Sequence, residues 1–275
     1  MTAFLKMHGL GNDFVVFDAR DAALALTPEQ IRKVADRHFG VGCDTVVVIR
    51  PGGAAADATV QFYNADGAES ESCGNATRCV ARLLLDERGL ARVRISTKGG
   101  LLTCSDAGKG LVTLDMGEPK LDWGALPMSA PVDTTNFPLD IGGNQIPASA
   151  VSVGNPHCVL FVPDAAAAPV ETLGPRIETL PFFPNRVNVE FAQVLDPATI
   201  RMRVWERGVG VTLACGTGAC ATAVAAIRRG LTGRKVKLVL DGGALMIEWR
   251  EEDGHVLMTG PAALPFRGRL DLTAL

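Results

Sequence analysis

The 275-residue sequence predicts an α/β (α+β) protein built as two pseudo-symmetric lobes with the active site in the cleft between them. Three observations carry this. Short strand-like runs alternate with amphipathic helices. The order of these elements occurs twice, with matching motifs at a nearly constant offset. A hydrophobic content of 47% against 21% charged residues supplies enough apolar material for well-packed cores.

Taken in order, residues 14–17 read as a strand. The first clear helix opens at Thr27-Pro28-Glu29-Gln30, a capping box with proline at the first helical position. It carries Ile31, Val34, Ala35 and His38 on one face, and Gly40 stops it. Strands are expected over 45–49 and 59–63, the second alternating apolar and polar residues, followed by a polar loop from Asn64 to Ser72. Cys73 opens a second helix, with Val80, Leu83 and Leu84 on its apolar face and Gly89 at its end. Strands near 92–97, 101–104 and 111–114 follow, separated by glycine turns. The stretch from Asp115 to Pro147 is rich in proline and turn residues. The order then repeats: a strand near Val151, a helix over 170–180, strands near 186–194 and 200–205, and a loop. Cys215 opens a helix running to Gly230, and strands near 236–240, 245–249 and 256–259 complete the copy.

The offsets agree: 155 − 12 = 143 for the two Gly-Asn pairs, 206 − 64 = 142 for Glu206 and Asn64, and 215 − 73 = 142 for the cysteines. The lobes are placed at residues 1–117, with the tail 264–275 packing against them, and 118–263.

A formal charge of −3 without long runs of one sign gives nucleic acid or an anionic membrane little to bind. No export signal and no bilayer-length apolar run is visible, so the expected location is cytoplasmic. Seven cysteines in such a context are expected as reduced thiols, and the odd number argues against a complete disulfide framework. Metal binding fits poorly as well. Cys73 and Cys79, and Cys215 and Cys220, stand six and five residues apart, on different faces of a helix turning about 100° per residue. Cys79 and Cys220 read as core, and Cys43, Cys104 and Cys158 have no distinctive context.

Cys73-Gly74-Asn75 and Cys215-Gly216-Thr217 each sit where a polar loop meets a helix start. There the unpaired N–H groups and the helix dipole favour a thiolate and can bind an anion. Glycine lets a carboxylate approach the backbone, with Asn75 or Thr217 beside it. One such pair alone is ordinarily packing. Two in register suggest a carboxylate held with a thiol on each face of its Cα, so that one cysteine removes the α-proton and the other returns a proton from the opposite side. Asn12, Asn64, Asn155, Asn188, Glu206 and Arg207 are the polar strand-end and loop residues that the repeat brings towards the same cleft. Glu206 suits an amine, Arg207 a carboxylate. His157, beside a repeated motif, is a candidate to tune a nearby thiol.

The stretches 7–14 (MHGLGNDF), 64–67 (NADG), 73–75 (CGN), 154–157 (GNPH), 206–208 (ERG) and 214–218 (ACGTG) resemble the diaminopimelate epimerase family over essentially the whole chain. The resemblance implies mainly antiparallel sheets, each wrapped around a central helix, and interconversion of LL- and meso-diaminopimelate for lysine and peptidoglycan synthesis. It implies no cofactor, neither pyridoxal phosphate nor metal, and a homodimer. Cys73 and Cys215 match the acid/base pair; Asn12, Asn64, Gly74, Asn75, Asn155, Asn188, Glu206, Arg207, Gly216 and Thr217 match substrate-contacting positions. Thr45 stands where the family usually has a substrate-contacting glutamine, and Ser72 where another is common. A racemase of proline, hydroxyproline or histidine is the nearest alternative, but the many polar positions suit a second amino-acid head. A binding protein or a phenazine-pathway isomerase would not need both cysteines.

Overall fold

The computed structural model describes residues 1–71 and 73–273. Ser72 and the last two residues of the expected tail lie outside the described residues. In chain order the elements are β1 (Thr2–Gly9), β2 (Asn12–Asp18), α1 (Pro28–Ala35), β3 (Thr45–Pro51), β4 (Ala58–Asn64), β5 (Glu69–Ser70), α2 (Gly74–Arg88), β6 (Arg92–Thr97), β7 (Gly100–Asp106) and β8 (Leu111–Asp115). They continue with β9 (Phe137–Asp140), β10 (Gln145–Ser152), β11 (Pro156–Phe161), α3 (Val170–Glu178), β12 (Asn188–Asp196), β13 (Thr199–Glu206), β14 (Gly210–Val211), α4 (Gly216–Arg228), β15 (Lys235–Leu240), β16 (Gly243–Trp249), β17 (Val256–Pro261) and β18 (Ala263–Leu270).

The chain divides into two compact units, Met1–Leu114 together with the segment from Gly260, and Asp115–Thr259. In the first, the strands pair in the order β18-β1-β2-β3-β4-β6-β7, with β2–β3 and β4–β6 parallel and the other pairs antiparallel. The second repeats this as β9-β10-β11-β12-β13-β15-β16, with β11–β12 and β13–β15 parallel. Register confirms the repeat residue by residue. Phe14 faces Thr45 across the first parallel pair, and His157 faces Asn188 across the second. Thr45 in turn faces Asn64, as Asn188 lies one position before the Val189–Trp205 pair and so opposite Glu206. β1, β9, β11 and β18 lie outside the strands expected from the sequence; β18 and β9 cover the outer edges of β1 and β10.

Each unit packs its sheet on one long helix. α2 rests on β1, β2, β6 and β7; α4 rests on β10, β11, β12, β13, β15 and β16. In α4 all residues from Gly218 to Ala226 are buried, which its run of alanines permits on every face. No helix among the described residues is long and apolar enough to cross a membrane.

α1 has the expected capping box, Thr27 accepting from the Gln30 N–H and Gln30 reaching back to the Thr27 N–H. It ends earlier than its periodicity suggests. The Asp36 side chain accepts from the N–H groups of His38 and Phe39, which turns the chain out of the helix and leaves His38 exposed. The polar loop after β4 contains the two-residue strand β5.

Candidate active site

Cys73 and Cys215 are the N-cap residues of α2 and α4, both with extended backbone conformation. The sequence dictates this through the Gly that follows each: a small first residue lets loop backbone approach the helix start closely. Beyond this common frame the two half-sites differ.

In the first unit Cys73 is partly exposed, and its Sγ lies 3.9 Å from Asn12 Oδ1. The same oxygen accepts from Asn75 Nδ2 at 3.2 Å, while Asn12 Nδ2 donates to Asp44 at 2.9 Å. Asn75 Oδ1 accepts at 2.9 Å from Arg78, whose side chain is fully buried beneath the helix start. Asp44 is anchored by Arg37 at 2.7 Å, which also binds Asp13. Although burial works against it, hydrogen bonds from Arg37 and Lys6 hold the Asp13 carboxyl down at about 2. Asn12, Asn75, Gly74 and Cys73 are thus brought together. Asn64 is exposed at the end of β4, and Thr45 is buried at the start of β3, paired with Asn64.

In the second unit Cys215 is buried. Its Sγ accepts from Gly218 N–H at 3.4 Å and lies 3.5 Å from Thr217 Oγ1. The expected lowering of a helix-start thiol does not hold here. Burial, reinforced by the carboxylates of Glu206 and Glu190, pushes the Cys215 thiol well above its ordinary value, and the bonds from Thr217 and Gly218 do not offset this. Cys215 therefore rests as a neutral thiol. Burial also pushes the Glu206 carboxyl up, against hydrogen bonds from Thr212 and from Cys215. Glu206 accordingly faces the thiol.

Asn155 and His157 lie together: His157 Nε2 is 3.0 Å from Asn155 Oδ1, and His157 Nδ1 is 2.7 Å from Glu190 Oε1. Asn188 is buried, donating to Pro156 O at 2.9 Å and accepting from Arg207 N–H at 3.0 Å, so it ties β11 to the turn after β13. The Arg207 side chain is exposed and bonds Asn185 O. Gly216 is buried, and Thr217 is partly exposed.

Sequence reasoning missed Asp44, Arg78 and Glu190. The signal for Glu190 was present: it is the one carboxylate inside the apolar run from Val187 to Ala192. Arg78 was concealed in a helix that reads as amphipathic.

The profile of the diaminopimelate epimerase family matches residues 4–121 and 149–265. Among curated relatives, diaminopimelate epimerase of Rhodospirillum centenum is 56% identical, covering 99% of this chain and 93% of its own length. That of Acidiphilium cryptum is 53% identical over 99% and 97%, and that of Nostoc punctiforme 47% over 97% and 99%. Among solved structures, a predicted epimerase from Pseudomonas aeruginosa superposes with a TM-score of 0.70 at 20% identity, covering 98% of this chain and 99% of its own. A probable proline racemase from Agrobacterium radiobacter does so at 0.69 and 17% identity, covering 99% and 93%. These structural likenesses establish the fold.

Proposed function

The chain belongs to the diaminopimelate epimerase family, and from that premise we propose that it interconverts LL- and meso-diaminopimelate by proton exchange between Cys73 and Cys215 at one Cα, without a cofactor. The product serves lysine and peptidoglycan-precursor synthesis. The observation that carries the mechanism is the placement of both cysteines as N-caps of matching helices, α2 and α4.

The chemistry balances simply. One thiolate takes the α-proton and becomes a thiol; the other thiol gives its proton to the opposite face and becomes a thiolate. The pair is left reversed, and before the same isomer turns over again the new thiol gives its proton to water and the new thiolate takes one from water, the exchange that also brings solvent hydrogen to Cα. Backbone N–H groups at Gly74-Asn75 and Gly216-Thr217 receive the carboxylate and stabilise the charge that develops on it. In the substrate-free enzyme the neutral Cys215 is set to donate, with Glu206 beside it to take a proton in the reverse direction. Asn12, Asn64, Asn155, Asn188, Arg207 and Thr217 complete the substrate-binding set in this reading. A homodimer in the cytoplasm, implied by the family likeness, belongs to the same proposal.

The test is incubation of purified protein with LL-diaminopimelate in deuterium oxide, following meso product and α-deuterium. Wild type should produce both. Cys73→Ala and Cys215→Ala should each lose at least about 10³-fold in kcat, the scale of a lost acid or base. Near wild-type turnover by either variant overturns the two-cysteine mechanism.

A further inference from the structure

Glu190 and His157 are fully buried and hydrogen-bonded to each other. The repeat supplies the control. His157 corresponds to Phe14 (157 − 14 = 143), Glu190 to Val47 (190 − 47 = 143) and Gly218 to Ala76 (218 − 76 = 142). In the first unit these three positions hold Phe14, Val47 and Ala76, apolar and all fully buried. The second unit has exchanged them for an imidazole, a carboxylate and a space.

That space has a reason. Gly218 sits in the first turn of α4, and a Cβ there would stand 2.7 Å from Glu190 Oε1 and 3.3 Å from Cys215 Sγ. The glycine makes room for the carboxylate. Glu190 Oε2 is buried and makes no hydrogen bond among the described residues. A buried His–Glu pair is commonly no more stabilising than well-packed apolar residues of similar volume. Stability alone therefore gives no account of the exchange.

Geometry gives one. A carboxylate can only accept, so His157 Nδ1 carries a hydrogen and donates it to Glu190. This fixes the plane and direction of the ring and aims Nε2 at the Asn155 carboxamide, whose Oδ1 is 3.0 Å away: Nε2 donates to that oxygen when the ring carries its second hydrogen, and accepts from Nδ2 when the carboxamide is turned over. Asn155 is partly exposed and immediately precedes β11.

We propose that Glu190 is a positioning residue that acts through His157 to hold the Asn155 carboxamide in the orientation that receives substrate. This rests on the assignment of Asn155 to the substrate site. A ring held from below by a buried acceptor presents one hydrogen-bonding atom in one place. Without Glu190 the ring turns, and Asn155 samples orientations that waste part of the binding interaction.

The experiment compares KM and kcat for LL-diaminopimelate, with thermal midpoints, in Glu190→Leu, Glu190→Gln, Asn155→Ala, the Asn155→Ala/Glu190→Leu double variant, and a triple variant carrying His157→Phe, Glu190→Val and Gly218→Ala. Glu190→Leu should raise KM about tenfold, the factor that goes with loss of one hydrogen bond to a ligand, with a smaller fall in kcat. Glu190→Gln, whose carboxamide oxygen can still accept from Nδ1, should recover most of the loss. The triple variant, which copies the first unit's packing, should melt no lower than wild type while retaining the raised KM. In the Asn155→Ala background, Glu190→Leu should add less than about twofold, because coupled groups are not additive. An unchanged KM in a folded Glu190→Leu protein, with Asn155→Ala impaired, overturns the proposal, and so does a Glu190→Gln protein whose KM is raised as much as that of Glu190→Leu. So does an undiminished effect of Glu190→Leu in the Asn155→Ala background. If Asn155→Ala itself leaves KM unchanged, it is the assignment of the substrate site that fails.

Discussion

The two cysteines occupy equivalent positions on equivalent helices, but what lies beneath them differs in sign. Under Cys73 the first unit buries a cation, Arg78, which reaches the thiol through Asn75 and Asn12. The second unit has Cys220 at that position (220 − 78 = 142), and it buries anions instead: Glu190 and Glu206 both act on Cys215. A duplicated scaffold thus provides matching strand order and helix starts with divergent electrostatics. That combination suits a reaction needing two proton carriers with unlike resting states, because helix dipoles alone would treat both thiols alike.

The sharpest way to break this comparison is thiol alkylation. At pH 7.5, Cys73 should react with iodoacetamide on the order of 10–100-fold faster than Cys215, which is buried and kept protonated. The sign with pH follows from the raised value: Cys215 is the neutral thiol at neutral pH, and its labelling should climb about tenfold per pH unit as the thiolate fraction grows. Peptide mass spectrometry of partially labelled native protein gives both rates, and equal rates at pH 7.5 would remove the asymmetry.

A smaller effect is expected from substitution at matched helix positions. Gly218→Ala should displace Glu190 from His157, lowering stability by about 1–3 kcal/mol, as overpacking does, and lowering kcat/KM about tenfold. The converse change, Ala76→Gly, introduces no clash and should lower stability by about 1 kcal/mol through helix propensity while leaving kcat/KM within about threefold. Denaturant titration and steady-state kinetics on both variants decide this. If the two behave alike, the glycine is not there for Glu190.

The smallest effect concerns Thr45, which holds the strand position matching Asn188. Thr45→Gln should change KM by no more than about threefold to fivefold, the range of one neutral hydrogen bond in a site with others nearby. A substrate panel of LL-diaminopimelate, lysine, histidine and proline is the measurement. Faster turnover of a single-headed amino acid by the wild-type protein would show that Thr45 has altered specificity.

By itself the sequence determined the duplication, the helix starts at Cys73 and Cys215, the capping box of α1 and most strand positions. These are local matters. Capping geometry, glycine turns and apolar periodicity are written within a few residues, and a repeated spacing makes weak local signals reinforce each other. It did not reveal β1, β9, β11 or β18, of which β18 pairs with β1 at the other end of the chain, nor the end of α1, where one aspartate side chain overrides periodicity. It also misjudged Cys215. A helix start argues for a lowered thiol, and only the tertiary structure showed that burial and two carboxylates from β12 and β13 outweigh it. Charge at a buried site depends on which chain segments meet there and on how much water they exclude, and neither quantity is encoded in the residues flanking the thiol.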